Sequence, residues 1–329
     1  MPTPKRVALP PGLIVRTGKF VWNTMWHTMM SQMAPRSKAG EYTRPESAFR
    51  SREITPEAGR YRLIVGMSCP WAHRTLVVRV LKELQDAIAL TTVYPSTDEG
   101  LWLFDSDQTE LPGNCRTLPE FYRSCQAGYS GRATVPVLWD SKTNTIVNNE
   151  SAEIIELLNS EFGELANDSD LYPESLRSDI DALNEKIYAT VNNGVYRCGF
   201  AQTQHAYDQA VDELFTTLDE LDERLSTQRY LCGNTLTLAD VRLFTTLIRF
   251  DVAYHGIFKC NRRRIADYHS LSSYLADLYQ LPGIADTCDI DAVKRDYFGN
   301  LFPLNPGGIV PVGPGWEGLK HPHNRERFS

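Results

Sequence analysis

The stretch YRLIVGMSCPWAHRTL, residues 61–76, passes from a short apolar segment through a turn into the start of a helix. YRLIVG (61–66) reads as a strand ending in glycine. From Pro70 to Gln85 the residues Leu76, Val77, Val80, Leu81 and Leu84 fall on one side at helical spacing. Pro70 suits the first helical position, where a missing N–H costs nothing. Cys69 therefore stands at a strand-to-helix joint, where the helix dipole and unpaired amides favour the thiolate over the thiol. The plainer role, a buried structural cysteine, is the one expected for most of the other six: Cys115, Cys125, Cys198, Cys232, Cys260 and Cys288.

The local motif is Cys-Pro-Trp-Ala, so Ala72 occupies the place where a dithiol enzyme keeps its resolving cysteine. A mixed disulfide on Cys69 must then be cleared by an external thiol, for which glutathione is the obvious candidate.

Outward from this joint, AIALTTVYP (87–95) reads as a second strand and completes a right-handed β-α-β unit. Ser96 to Arg132 is polar and punctuated by Gly and Pro, and is expected to be a loop with an aromatic anchor at GLWLF. ATVPVLWD (133–140) and TIVNNES (145–151), joined by SKTN, form a hairpin signal. SAEIIELLNSEF follows, with Ile154, Ile155, Leu157 and Leu158 on a helical face and Ser151 as the expected N-cap. A β-α-β unit followed by β-β-α is the plan of a thioredoxin-like domain. Pro136 stands where such domains place a cis-proline facing the active-site thiol, although a turn or edge-strand proline reads the same way. Glu150 and Ser151 offer a carboxylate, a hydroxyl and helix-start amides to the charged γ-glutamyl end of glutathione, or serve only as a cap.

From Pro173 to about Leu281 no strand is expected. YDQAVDELFTTLDELDERL (207–225) carries an apolar stripe opposite acids. TLTLADVRLFTTLIRFD (235–251) opens with Thr237 and Asp240 spaced as a capping box. The fold class is thus α/β plus all-α, a thioredoxin-like domain followed by an all-helical one. The boundaries read as an N-terminal extension over 1–59, the thioredoxin-like domain over 60–162, and a linker over 163–173. The helical domain then covers 174–300, and a Pro- and Gly-rich arm laid over the body covers 301–329.

The 329 residues suit about two domains. With 34 Lys and Arg against 41 Asp and Glu, the net charge of −7 argues against an electrostatic binder of nucleic acid or of anionic membranes. Seven cysteines, an odd number without metal-ligand spacing, suit a reducing compartment and no metal site. No export signal or bilayer-length apolar run is read, so a cytoplasmic protein without a membrane span is expected. FVWNTMWHTMM (20–30) is expected to pack against the protein's own body, a membrane-surface contact being the alternative.

Six segments in order, CPWAHR (69–74), GRATVPVLWD (131–140), IVNNESAEII (146–155), NNGVYRCGFA (192–201), TLADVRLFTTLIRFD (237–251) and NPGGIVPVGP (305–314), together resemble the glutathionyl-hydroquinone reductases, the xi class of glutathione transferases. The resemblance runs from about Gly40 to about Pro314. It implies a glutathione-dependent enzyme in which Cys69 takes glutathione from a glutathionyl-hydroquinone as a mixed disulfide that a second glutathione resolves. It also implies that Trp102 packs over glutathione, that Val135 pairs with its backbone, and that Glu150 and Ser151 hold its amino-acid end. Arg132 is the expected basic contact to a carboxylate, with Arg123 as the alternative. Tyr196 and Tyr297 would flank the aromatic ring and supply a proton. The family implies a homodimer, and with no metal site or nucleotide-binding glycine pattern in the sequence, glutathione is expected to be the only cosubstrate. An omega-like thioltransferase or dehydroascorbate reductase is the runner-up.

Overall fold

β1 (Tyr61–Gly66) forms the middle of a five-stranded sheet because Leu63, Ile64 and Val65 are apolar on both faces and fully buried. It is the central strand in the computed structural model, which describes residues 10–35, 37, 40–43, 46–96, 99–105 and 111–328. β2 (Ile88–Pro95) lies parallel to β1, with Tyr61 opposite Ile88, after the crossover through α2 (Pro70–Leu81). β4 (Val137–Asp140) runs antiparallel on the other side of β1 and pairs in turn with β5 (Thr145–Asn148). α4 (Ser151–Ser160) closes the unit, giving the expected thioredoxin-like plan.

Three local readings are corrected. Between Ser96 and Arg132 the described residues hold β3 (Trp102–Phe104), antiparallel to β2, and α3 (Leu118–Cys125). The helix starts in a capping box in which Thr117 accepts from the Glu120 amide and Glu120 accepts from the Thr117 amide. α2 stops at Leu81, four residues early, because Glu83 turns into a left-handed conformation at φ 55°. Ser151 is not the cap of α4. Glu150 is, accepting from the Ala152 amide at 3.2 Å, and Ser151 is the first helical residue.

The second half is helical, as expected. α5 (Arg177–Ile187) leads through a π-helical turn over Tyr188–Asn192 into α6 (Gly194–Gly199), and α7 (Gln204–Arg224) follows. α8 (Leu238–Arg249) is buried along nearly its whole length and packs against α2, so it joins the two halves. A second π-helical turn over Phe250–Tyr254 leads to the short α9 (His255–Ile257), then α10 (His269–Tyr279) and α11 (Ile290–Asn300). Each π-helical turn inserts a residue into the helical register and re-aims the side chains that follow.

α1 (Pro11–Met33) departs from the expectation that residues 20–30 pack inward. Phe20, Val21, Trp22 and Met25 are exposed, Phe20 by 72%, while Met30 and Ala34 are buried. A helix of 23 residues is about 35 Å long, and it meets the core at Trp26 and Met30. Trp22 does face Phe302, with ring centroids 6.3 Å apart. No helix among the described residues is long and apolar enough to cross a membrane. The carboxy-terminal arm lies over the body, as expected, with Lys294 donating to Val312 O and Gln280 donating to Leu319 O and His321 O. Trp316 donates its ring N–H to Ile248 O, and buried Arg325 donates to the carbonyls of Leu225, Gln228 and Arg229. Between Asn300 and Trp316 the arm leaves Ile309 and Val312 exposed.

Candidate active site

Cys69 occupies the N-cap position of α2 in an extended conformation, with Pro70 as the first helical residue. Its backbone N–H donates to Gly66 O and its carbonyl accepts from the His73 amide, so the turn itself is fully bonded. The half-buried thiol lies 3.8 Å from the carbonyl oxygen of Val135, which precedes Pro136 through a cis peptide bond. The strand-turn-helix expected for 61–76 thus delivers one accessible sulfur to the end of the sheet.

Two cavities meet at that sulfur. The polar one, about 330 Å³, is lined by Cys69, Trp71, Trp102, Arg132 and Val135, with Glu46 and Ser47 from the amino-terminal extension. Trp102 reaches it from β3, and its ring fills the space where a Cβ on Gly66 would stand, so only glycine fits at the end of β1. Arg132 lines the cavity, whereas Arg123 is an exposed residue of α3. Glu150 faces an adjoining groove with Arg50, Arg52 and Arg242, and it accepts a hydrogen bond from the Ser47 hydroxyl at 2.8 Å. Ser151 is buried behind it, 3.5 Å from an Arg74 nitrogen. Of the residues expected around the thiol, Trp102, Arg132 and Val135 come together at Cys69, and Glu150 and Ser151 stand one step away.

The second cavity, about 220 Å³, is almost wholly apolar and is lined by Cys69, Pro70, Trp102, Tyr196, Phe200 and Tyr297 among others. Tyr196 from α6 and Tyr297 from α11 meet with their hydroxyls 2.6 Å apart, although they are distant in the chain. Sequence reasoning missed their third partner. Tyr254, at the end of the second π-helical turn, places its hydroxyl 3.1 Å from that of Tyr297. Burial pushes Tyr254 up to about 12 and raises Tyr196 and Tyr297 well above the usual phenol range. All three are therefore neutral hydrogen-bond donors at physiological pH. The residue string around Tyr254 has no distinctive signal apart from the break in helical period after Arg249. Tyr42, from the extension, and Trp71 also face Tyr196.

Behind the turn, His73 is fully buried and its pKa is lowered well below the usual value, first by burial and then by the Arg249 charge. Thr287 donates its hydroxyl to Ile284 O, so it accepts from His73 Nε2–H at 2.8 Å, and Nδ1 accepts from Arg249. A histidine kept neutral in the folded state takes up a proton on unfolding once the pH falls below its unfolded value of about 6.5. Stability is therefore full above that value and falls as the medium is acidified, by at most about 1.4 kcal/mol per pH unit from this one group. Urea unfolding of wild type and His73→Gln at neutral and mildly acidic pH checks this. The acid loss is smaller in the variant, and equal losses refute the assignment.

Comparison with known proteins agrees with this fold. The family description "Glutathione S-transferase, N-terminal domain" matches residues 68–161, and "Glutathione S-transferase, C-terminal domain" matches residues 204–277. The glutathionyl-hydroquinone reductase YqjG of Escherichia coli K12 is 44% identical over 328 residues, covering 94% of this chain and 98% of the relative. Its glutathione-bound structure superposes with a TM-score of 0.79 at 48% identity, covering 82% of this chain and 89% of that one. The glutathionyl-hydroquinone reductase PcpF of Sphingobium chlorophenolicum is 43% identical over 301 residues, covering 89% and 94%. The glutathione-S-transferase Xi of Phanerochaete chrysosporium superposes with a TM-score of 0.81 at 44% identity, covering 87% and 96%.

Proposed function

Because this chain belongs to the xi class of glutathione transferases, the glutathionyl-hydroquinone reductases, we propose that Cys69 is the nucleophile with which it reduces glutathionyl-hydroquinones to hydroquinones. The Cys69 thiolate attacks the glutathione sulfur, and the bond between that sulfur and the ring carbon breaks. Its electron pair stays with the ring, which takes a proton and leaves as hydroquinone, and a Cys69–glutathione disulfide remains. A second glutathione thiolate then attacks the glutathione sulfur of that disulfide, releasing oxidised glutathione and the free Cys69 thiolate. In sum one glutathione thiol and the thioether sulfur of the conjugate are oxidised to one disulfide while the ring carbon is reduced by two electrons, so the electrons balance.

The observation that carries this reading is the position of one thiol at the meeting point of a polar and an apolar cavity. In the polar cavity Trp102 covers glutathione, Val135 pairs with its backbone and Arg132 meets a carboxylate, while Glu150 and Ser151 hold the amino-acid end. In the apolar cavity the ring lies against Tyr196 and Tyr297, whose neutral hydroxyls donate to the quinol oxygens and supply the proton, with Tyr254 supporting Tyr297. All seven cysteines are free, which supports a reducing, cytoplasmic setting. The homodimer of the family is part of the same proposal.

Incubation with glutathionyl-hydroquinone and excess glutathione tests the reading. Hydroquinone and oxidised glutathione appear in equal amounts. Reduction of small mixed disulfides without hydroquinone release would instead favour the omega-like thioltransferase or dehydroascorbate reductase. Within the site, Tyr297→Phe lowers kcat by about a hundredfold, the range of a positioned general acid, and leaves KM for the conjugate nearly unchanged. Steady-state kinetics reads the split, and an unchanged kcat removes Tyr297 from proton transfer.

A further inference from the structure

Arg249 closes α8 at its carboxy-terminal end and is 1% exposed. Its Nε–H donates to Ser68 O at 2.9 Å and one terminal nitrogen donates to Met67 O at 2.9 Å. The other terminal nitrogen donates to Thr245 O at 2.9 Å and to His73 Nδ1 at 2.8 Å. One guanidinium from the helical half thus grips two consecutive carbonyls immediately before Cys69 and a side chain one helical turn after it. Among the described residues no carboxylate lies within ion-pair distance of Arg249.

A buried cation without a counterion is costly, and an apolar side chain of similar volume would join α8 to α2 without that cost. Two things follow from the cation that an apolar residue does not provide. The Met67 and Ser68 carbonyl dipoles are tied back to the second half of the protein, which fixes the turn from which the sulfur projects. A permanent positive charge also lies behind that turn. We propose that Arg249 is a positioning residue for the Cys69 reaction, setting both the geometry of the Met67–Ser68 turn and the positive field in which the thiol reacts. This rests on the assignment of Cys69 as the reacting thiol.

The other titratable and charged groups around Cys69 do not duplicate that role. His73 is neutral, and Arg74, on the same helix, bonds toward Ser151 and Asn192 and stacks over Trp71. Tyr196, Tyr254 and Tyr297 are neutral phenols. Asp296, hydrogen-bonded to Ser68 and raised by burial, brings the opposite charge when ionised. Across the polar cavity stand Tyr42, Glu46, Tyr129 and Arg132, of which Glu46 and Arg132 are exposed. Arg249 also acts on Tyr254 and Tyr297, lowering their pKa values against the larger effect of burial, so its field reaches the Tyr297 side of the apolar cavity.

The test uses the full chain as wild type, Arg249→Gln and Arg249→Lys, with iodoacetamide alkylation of Cys69 followed by peptide mass spectrometry across neutral pH. In Arg249→Gln the rate of Cys69 alkylation at neutral pH falls by about threefold or more. Its kcat for hydroquinone release falls by about tenfold or more, while KM for the conjugate changes by less than about threefold. Arg249→Lys keeps the charge and an alkylation profile close to wild type. Its kcat still falls, because one ammonium cannot span both carbonyls and His73. A folded Arg249→Gln protein with the wild-type profile and kcat overturns the proposal, as does a loss of thermal stability alone. If the glutamine variant does not fold, a wild-type kcat in Arg249→Lys overturns it. A wild type that releases no hydroquinone defeats the functional reading, and the alkylation profiles still judge Arg249.

Discussion

Cys69→Ser lowers kcat/KM for hydroquinone release by at least about a thousandfold, a loss of about 4 kcal/mol of transition-state stabilisation. The reason is chemical rather than steric. Serine nearly preserves the volume at the N-cap, and the turn's own bonds, Cys69 N–H to Gly66 O and His73 N–H to Cys69 O, involve only backbone atoms. A serine hydroxyl, however, is scarcely ionised near neutrality and cannot form the disulfide that the second glutathione resolves. The fold and glutathione binding are retained, so isothermal titration with glutathione gives a Kd within a fewfold of wild type. Intact mass spectrometry after exposure to the conjugate shows the glutathione adduct on wild type only. Residual release above about a tenth of wild type would mean that another group carries the reaction.

The largest effect on stability is expected at Asp240. Its carboxylate is completely buried and accepts hydrogen bonds from the Leu231 and Thr237 amides, the Thr237 hydroxyl and the Tyr274 hydroxyl, each at 2.8 to 2.9 Å. Burial raises its pKa, and those donors act against the rise. Asp240→Ala leaves the donors facing a void at the start of α8, the helix that carries Arg249 at its other end. The expected cost is about 3–5 kcal/mol, most of a single domain's margin. Asp240→Asn retains one acceptor but turns an N–H₂ group toward one set of donors, and loses less. Urea midpoints measure both. At low temperature the folded fraction of Asp240→Ala keeps its specific activity, because Asp240 lies about 14 Å along the helix from Arg249. A midpoint within about 1 kcal/mol of wild type would remove the buried cap from the account of stability.

What was legible in the sequence was local. The Cys69 joint could be read because strand, glycine, proline and helical period fall within sixteen consecutive residues, and the Thr237–Asp240 box because it spans one turn. β3 was missed because three residues are too few to establish a period. α3 was missed because Pro119 and the surrounding polar residues suggested loop, although Thr117 and Glu120 have capping-box spacing. The cap at Glu150 was misassigned by one residue because both Glu150 and Ser151 can accept from helix-start amides. Tyr254 and Arg249 could not be found from sequence by the same means. Each reads as an ordinary side chain on a buried helix, and its partners lie in other segments that only the tertiary fold brings together. α1 shows the opposite failure: its apolar residues suggested burial, but Phe20, Val21, Trp22 and Met25 are exposed.

The two cavities at Cys69 draw most of their side chains from different halves of the chain. Arg132 and Val135 belong to the sheet side of the polar cavity, while Tyr196, Phe200 and Tyr297 line the apolar one from helices. Such a division makes the site modular in an evolutionary sense. On the proposed function, substitutions on α6 and α11 are expected to retune the choice of ring and leave glutathione binding by the sheet side unchanged, so a lineage would acquire new aromatic substrates without rebuilding the thiol chemistry.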